Sequence, residues 1–157
     1  MGVRIPRSSS RGFTLIELLT VLLIIAILLA VAVPFMLRSR IAANEAAAIG
    51  AVRVLQGAEE QFRVENKRYG TVPEMGATDL LTGDMASGNK TGYVFTAFVD
   101  PSNWTAVFYA EGVPEVYNRT GISSYYVDES GVIRSRDTGG NALAPRADAE
   151  TWTEVGD

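Results

Sequence analysis

Twenty consecutive residues, Leu18 to Leu37, carry no charge and consist almost wholly of Leu, Ile, Val and Ala. A helix of that length rises roughly 30 Å, the thickness of a bilayer's hydrocarbon core. Water is no place for such a surface, so the segment belongs in a membrane or against other apolar helices. Arg4, Arg7 and Arg11 precede it, with no acid before Glu17. A basic stretch followed by an apolar run is the outline of an export signal. Glu17 does not suit an ordinary one. A carboxylate inside a membrane helix costs about 2.5–3.5 kcal/mol on insertion scales, and one found there marks a functional site that needs a partner.

A partner arises if the chain is cut after Gly12. Phe13 then carries a positively charged amine. Residues four apart share a helix face, so Phe13 and Glu17 lie about one turn apart. The amine sits at the helix start, a poor place for a pair within one chain. Between axially staggered chains the geometry is easier: Glu17 of one meets the amine of the next. Pairing offsets the desolvation of both charges and fixes the register between neighbours, as a buried polar group does in coiled coils.

The stretch RGFTLIELLTVLLIIAILLAVAVP resembles the leader and N-terminal helix shared by type IV pilins, type II secretion pseudopilins and competence pseudopilins. The resemblance implies that a prepilin peptidase cuts between Gly12 and Phe13 and N-methylates Phe13. It implies that Glu17 is the assembly carboxylate and that Pro34 is a helix-kinking proline. The implied partners are further copies of the chain, sibling pilins, the prepilin peptidase, an assembly ATPase and its platform protein. The implied location is the bacterial inner membrane as a single-pass protein, then a cell-surface or periplasm-spanning filament. Two plainer accounts compete. An ordinary signal peptidase would cut after Ala30-Val31-Ala32, although the apolar run continues to Leu37. A simple membrane anchor would leave Glu17 unexplained, and Arg38 and Arg40 beyond the span would fix its orientation poorly.

Beyond the leader the chain is acidic. Residues 13–157 hold 11 basic and 18 acidic side chains, a net of −7 within a whole-chain net of −4. This argues against a basic nucleic-acid surface, and no nucleic-acid partner is expected. The chain has no His and no Cys. That excludes thiol nucleophiles, histidine bases, the usual zinc ligand sets and any disulfide staple. Phosphate-loop and nucleophile-elbow motifs are also absent, so no enzyme and no catalytic residue is expected.

From Arg38 to Tyr69 the composition is helical but the pattern changes. Ile41, Ala48, Val52, Leu55 and Phe62 form one apolar stripe, with Glu45, Arg53, Glu59, Glu60 and Arg63 mostly off it. Gly50 and Gly57 stand seven apart, marking either a close approach to a sheet or neighbouring subunit or tolerated drift. Gly70 is a plausible C-cap. Residues 71–91 contain turn formers and Leu80-Leu81, and a loop with one short helix is expected there. Strands are expected over Tyr93–Val99, Trp104–Ala110, Ile122–Val127 and Val132–Arg134. Turns fall at Asp100–Asn103 and at Asp128–Gly131, where Gly131 is placed to take φ > 0. The stretch past Asp137 reads as irregular. Tyr69-Gly70 and the late YYVDESGVIR segment also resemble a branch of bacterial pilin-like proteins.

The predicted fold is therefore α+β, a lollipop in four parts. These are a leader (1–12), a membrane or filament-core half-helix (13–37), an amphipathic half-helix (38–69) and a head with a small antiparallel sheet (70–157). The implied function is structural, as a subunit of a type IV pilus or pilus-like filament. A major pseudopilin of type II secretion and a membrane-anchored binder that never polymerises are the alternatives. Gly70 after Tyr69, where the secretion branch often has Pro, tilts the reading toward a pilus. No cofactor is expected. Asp128, Glu129 and Asp137 offer the hard oxygen ligands that calcium takes, although their spacing matches no calcium loop and a solvated turn is the plainer account. Asn89, Asn103 and Asn118 each begin an Asn-x-Thr triplet, which points to surface exposure.

Overall fold

The computed structural model describes residues 12–141, 146–149 and 151–156. The leader therefore lies outside the described residues, except for Gly12. The chain divides into two compact units, 1–36 and 37–157.

Helix α1 runs over Leu15–Asn66. In the first unit it is apolar on every side and passes through Pro34 without a break. Pro34 has no N–H to give to the carbonyl four residues earlier. In the second unit the helix is amphipathic. Ile41, Ala48, Ala51, Val52, Leu55, Ala58 and Phe62 are buried. All five positions of the expected stripe are among them. The helix ends at Asn66, three residues short of the expected Tyr69. Lys67 takes the left-handed conformation (φ 59°), and its N–H closes on the Arg63 carbonyl at 2.8 Å. Gly70 is therefore not the C-cap. Its lack of a side chain serves packing instead, because a Cβ there would lie 2.8 Å from the Phe62 ring.

Helix α2 spans Val72–Ala77, and a 3-10 turn spans Gly83–Met85. The short helix thus falls at the start of the expected 71–91 segment. Thr71 and Glu74 explain why: they form a capping box, with the Thr71 N–H donating to Glu74 Oε2 at 2.9 Å. Arg68 Nη2 reaches Glu74 Oε1 at 2.6 Å. That contact, with the Thr71 bonds, pulls the Glu74 carboxyl down to about 2.

Six strands follow: β1 (Asn89–Lys90), β2 (Tyr93–Val99), β3 (Phe108–Pro114), β4 (Ser123–Asp128), β5 (Arg134–Asp137) and β6 (Thr153–Glu154). They form one antiparallel meander in chain order. Three or four strands were expected, and the extra two are two-residue edge strands without a recognisable period. β2 matches its expected bounds. β3 starts four residues later than expected. Its missing start is a turn in which the N–H groups of Ala106 and Val107 both donate to the Asn103 carbonyl. Trp104 stands exposed in that turn, while its carbonyl accepts from the Tyr69 N–H at 2.8 Å. β5 likewise begins at Arg134 rather than Val132. The turn before it is as expected, with Gly131 at φ 76° and its N–H on the Asp128 carbonyl.

One sheet face meets the buried face of α1. Tyr93, Phe95 and Ala97 from β2, Phe108 and Ala110 from β3, and Tyr125 and Val127 from β4 share a core with Val52, Leu55 and Phe62. The C-terminal stretch is not irregular where it is described. On the other face, Ala149 of helix α3 (Arg146–Ala149) and Trp152 bury Tyr126, and the chain then joins the sheet edge as β6 beside β5. Rings of Phe98, Tyr109, Tyr126 and Trp152 succeed one another across that face at 4.8, 5.8 and 6.4 Å. Aromatic burial of this kind needs no local periodicity, so a composition of Gly, Ala, Pro and Asp hid it.

Two acids expected off the apolar stripe carry structure. Glu45 Oε1 accepts the N–H groups of Ile122 and Ser123, each at 3.0 Å, and ties the start of β4 to α1. Glu59 is fully buried and accepts the Gly70 N–H at 3.0 Å.

Candidate functional site

The start of α1 gathers the residues singled out by sequence. Gly12 and Phe13 precede the helix and are exposed, Phe13 at 80%. Thr14 is its N-cap: Thr14 Oγ1 accepts from the Glu17 N–H at 3.2 Å. In return Glu17 Oε2 faces the Thr14 N–H at 3.5 Å and its hydroxyl at 3.4 Å. Thr-x-x-Glu is a capping box, and that spacing was visible in the sequence. Glu17 therefore has a contact within its own chain, to Thr14, in addition to the second chain's Phe13 amine that the sequence points to. The contact is long for a hydrogen bond, so it orients the carboxylate without saturating it. The helix N-terminus adds its own positive end, which favours an anionic group there.

Behind this carboxylate the helix surface is uniformly apolar and open. Every large apolar side chain from Phe13 to Leu37 is exposed, from 42% at Leu37 to 80% at Phe13. The described part of the chain has one helix long and apolar enough to cross a membrane, and its most apolar window is not buried at all. Thr20, the one polar residue inside the span, donates its hydroxyl to the Ile16 carbonyl at 2.8 Å and so needs no outside partner.

In the second unit α1 keeps an open face as well. Gly50, Val54, Gly57 and Val64 are all exposed at spacings of four, three and seven. A Cβ at Gly50 or Gly57 would meet nothing within 4 Å. Neither glycine therefore allows close approach to the chain's own sheet.

Asp128, Glu129 and Asp137 do not converge. Asp128 is buried at the end of β4. It accepts the Ser130 N–H at 2.9 Å and lies 3.6 Å from Arg134 Nη1. Asp137 pairs across the ladder with Ser123, five residues from Asp128 and so about 17 Å along the strand. It accepts from the Tyr117 hydroxyl and from the Gly139 N–H, both at 2.9 Å. Glu129 is exposed. Among the described residues no three acidic groups stand close enough to hold a metal ion. Asn89, Asn103 and Asn118 are all exposed.

Residues 7–33 match the model of the prokaryotic N-terminal methylation motif. Type II secretion system core protein G of Klebsiella michiganensis is 33% identical over 76 residues, which is 48% of this chain and 53% of that protein. The type IV wide pilus major component PilA4 of Thermus thermophilus is 39% identical over 61 residues, 39% of this chain and 47% of that protein. Competence protein ComGC of Streptococcus pneumoniae is 27% identical over 86 residues, 55% of this chain and 80% of that protein. The chain thus spans about half the length of the secretion and pilus relatives it matches. No solved structure gives a significant match.

Proposed function

We propose that the chain belongs to the type IV pilin and pseudopilin family and is a structural subunit of a type IV pilus or pilus-like filament; its matches to the N-terminal methylation motif, a secretion protein G, a pilus component and ComGC support this. The observation that carries this is the open apolar helix of residues 13–37 with a single carboxylate at its start. Prepilin peptidase cuts after Gly12 and methylates the Phe13 amine. The subunit then waits in the bacterial inner membrane as a single-pass protein. On assembly the apolar helix exchanges lipid for neighbouring helices, at little change in apolar exposure. What selects the register is charge: Glu17 turns from its loose contact with Thr14 toward the amine of an adjacent subunit. Pro34 leaves one backbone carbonyl without its helical donor, a natural point for the helix to kink. The open face through Gly50, Val54 and Gly57, flanked by Arg53, gives a neighbour's helix room to approach closely.

The partners of this scheme are sibling pilins, the peptidase, an assembly ATPase and its platform protein. No catalytic role and no cofactor is assigned. A secretion pseudopilus is the second reading, favoured by the match to type II secretion core protein G across 48% of the chain. The destination of the filament, cell surface or periplasm, separates the two.

Intact-mass measurement tests the processing step. The mature chain recovered from membranes should begin at Phe13 and weigh one methyl group more than residues 13–157. A terminus at Met1 would remove the amine on which register depends, and one at Val33 would remove the whole helix surface.

A further inference from the structure

Among the described residues, the most deeply buried acid lies outside the apolar helix of residues 13–37. Glu59 has no solvent exposure. Its Oε2 accepts the Gly70 N–H at 3.0 Å, while its Oε1 is buried without a hydrogen-bond partner among the described residues. Gly70 belongs to the connection from α1 to α2. Its ends are fixed by the Lys67 N–H on the Arg63 carbonyl and by Thr71 on Glu74; between them Arg68 reaches Glu74 at 2.6 Å, the Tyr69 hydroxyl reaches Glu60, and the Tyr69 N–H meets the Trp104 carbonyl at 2.8 Å. Tyr69 lies under it, its ring 4.5 Å from that of Phe108.

We propose that Glu59 is a pH-sensitive latch, which in its neutral form holds the α1–α2 connection (67–71) closed on the core and on ionising favours its opening. An ionised carboxylate with one bare oxygen in an apolar core is costly, and water reached by opening the connection relieves that cost. The charged groups acting on Glu59 do not supply the missing stabilisation. Glu60 on the same helix and Glu74 on α2 repel its charge, and Arg68 on the connection attracts it least. Arg68 is already engaged by Glu74, and Glu60 by Arg63 and the Tyr69 hydroxyl. Burial, the largest influence, pushes the Glu59 carboxyl up from 4.5 to about 7. The sign follows. A carboxyl whose closed-state value is raised favours the closed state fully below about pH 4.5. That preference is lost as pH rises toward 7.

The test is amide hydrogen exchange on the full chain in detergent micelles, corrected for intrinsic rates, with NMR titration of the Glu59 carboxyl carbon. Opening of residues 67–71 should rise on the order of a hundredfold between pH 4.5 and 8, the factor that a displacement of this size implies. The carboxyl should titrate near neutrality. In Glu59→Gln, which keeps an acceptor for the Gly70 N–H, the pH dependence should vanish. Flat protection in the unaltered chain, the same slope in Glu59→Gln, or titration of Glu59 at an ordinary carboxylate value would each overturn the latch. The titration needs no variant, so a misfolded Glu59→Gln leaves the proposal testable.

Discussion

Glu17→Val should insert and be processed normally yet fail to assemble. Valine removes an insertion cost of about 2.5–3.5 kcal/mol, so the monomer sits in the bilayer at least as well as before. In the filament the neighbouring Phe13 amine loses its counter-charge, and an unpaired buried cation costs on the order of 3–5 kcal/mol. The penalty recurs at every subunit, so even a fraction of it shifts polymerisation by orders of magnitude toward monomer. Glu17→Asp should be intermediate, since the charge stays and its reach shortens by one methylene. The capping box supplies the control. Glu17 also serves Thr14 at 3.4–3.5 Å, and losing a cap costs about 1 kcal/mol. Thr14→Ala removes the cap and keeps the carboxylate, so it should assemble. If Thr14→Ala were as defective as Glu17→Val, helix capping rather than pairing between subunits would explain the defect. Filament yield per processed subunit, from sheared cells, is the measurement.

Gly121→Ala should destabilise the head by roughly 2–4 kcal/mol, and a thermal midpoint lower by about 10 °C is the expected reading. A Cβ at Gly121 would lie 2.0 Å from the Tyr93 hydroxyl oxygen. That oxygen cannot yield cheaply. It donates to the Ser123 carbonyl at 2.9 Å, and its ring is 1% exposed, set between those of Phe95 and Tyr125. Shifting the ring breaks a buried hydrogen bond, worth about 1 kcal/mol, and overpacks the core by 1–3 kcal/mol. Gly50→Ala should move stability the other way, by up to about 1 kcal/mol. It relieves a helix-interior glycine, and its Cβ meets nothing within 4 Å. If the Gly50 face packs against a neighbour's helix, that same variant should assemble less well. Circular-dichroism melts of the full chain compare the two substitutions. A neutral Gly121→Ala would mean that Tyr93 is not fixed where its hydrogen bond puts it.

The parts of the molecule legible in the sequence are those written in short-range pattern. Glu17, the uncharged run from Leu18 to Leu37 and the stripe from Ile41 to Phe62 need only composition and helical period. β2 and the Gly131 turn need only alternation and one left-handed residue. Long-range packing decided the rest. Trp104 reads as a strand residue, but its carbonyl serves Tyr69 and its side chain is exposed, so β3 starts at Phe108. Trp152 reads as part of a tail, but it covers Tyr126 from the far side of the sheet. Asp128 and Asp137 look adjacent along the chain, and the β4–β5 register sets them apart. Glu59 looks like one more surface acid on a charged helix. Only the backbone N–H of Gly70, eleven residues on, gives it a buried partner. The Thr14–Glu17 capping box was short-range and readable.

In the proposed filament, subunits polymerise through the helix beginning at Phe13, with Glu17 setting the register. Helical reconstruction of filaments from cells that express the full chain with its peptidase and assembly machinery tests this most directly. The expected result is a core of packed helices, residues 13–37 facing one another, with each Glu17 carboxylate within hydrogen-bond reach of a neighbouring chain's methylated Phe13 amine. A polymer whose subunits meet only through their heads, with residues 13–37 outside the core, would contradict it. So would a fully processed chain that stays a membrane monomer with all that machinery present.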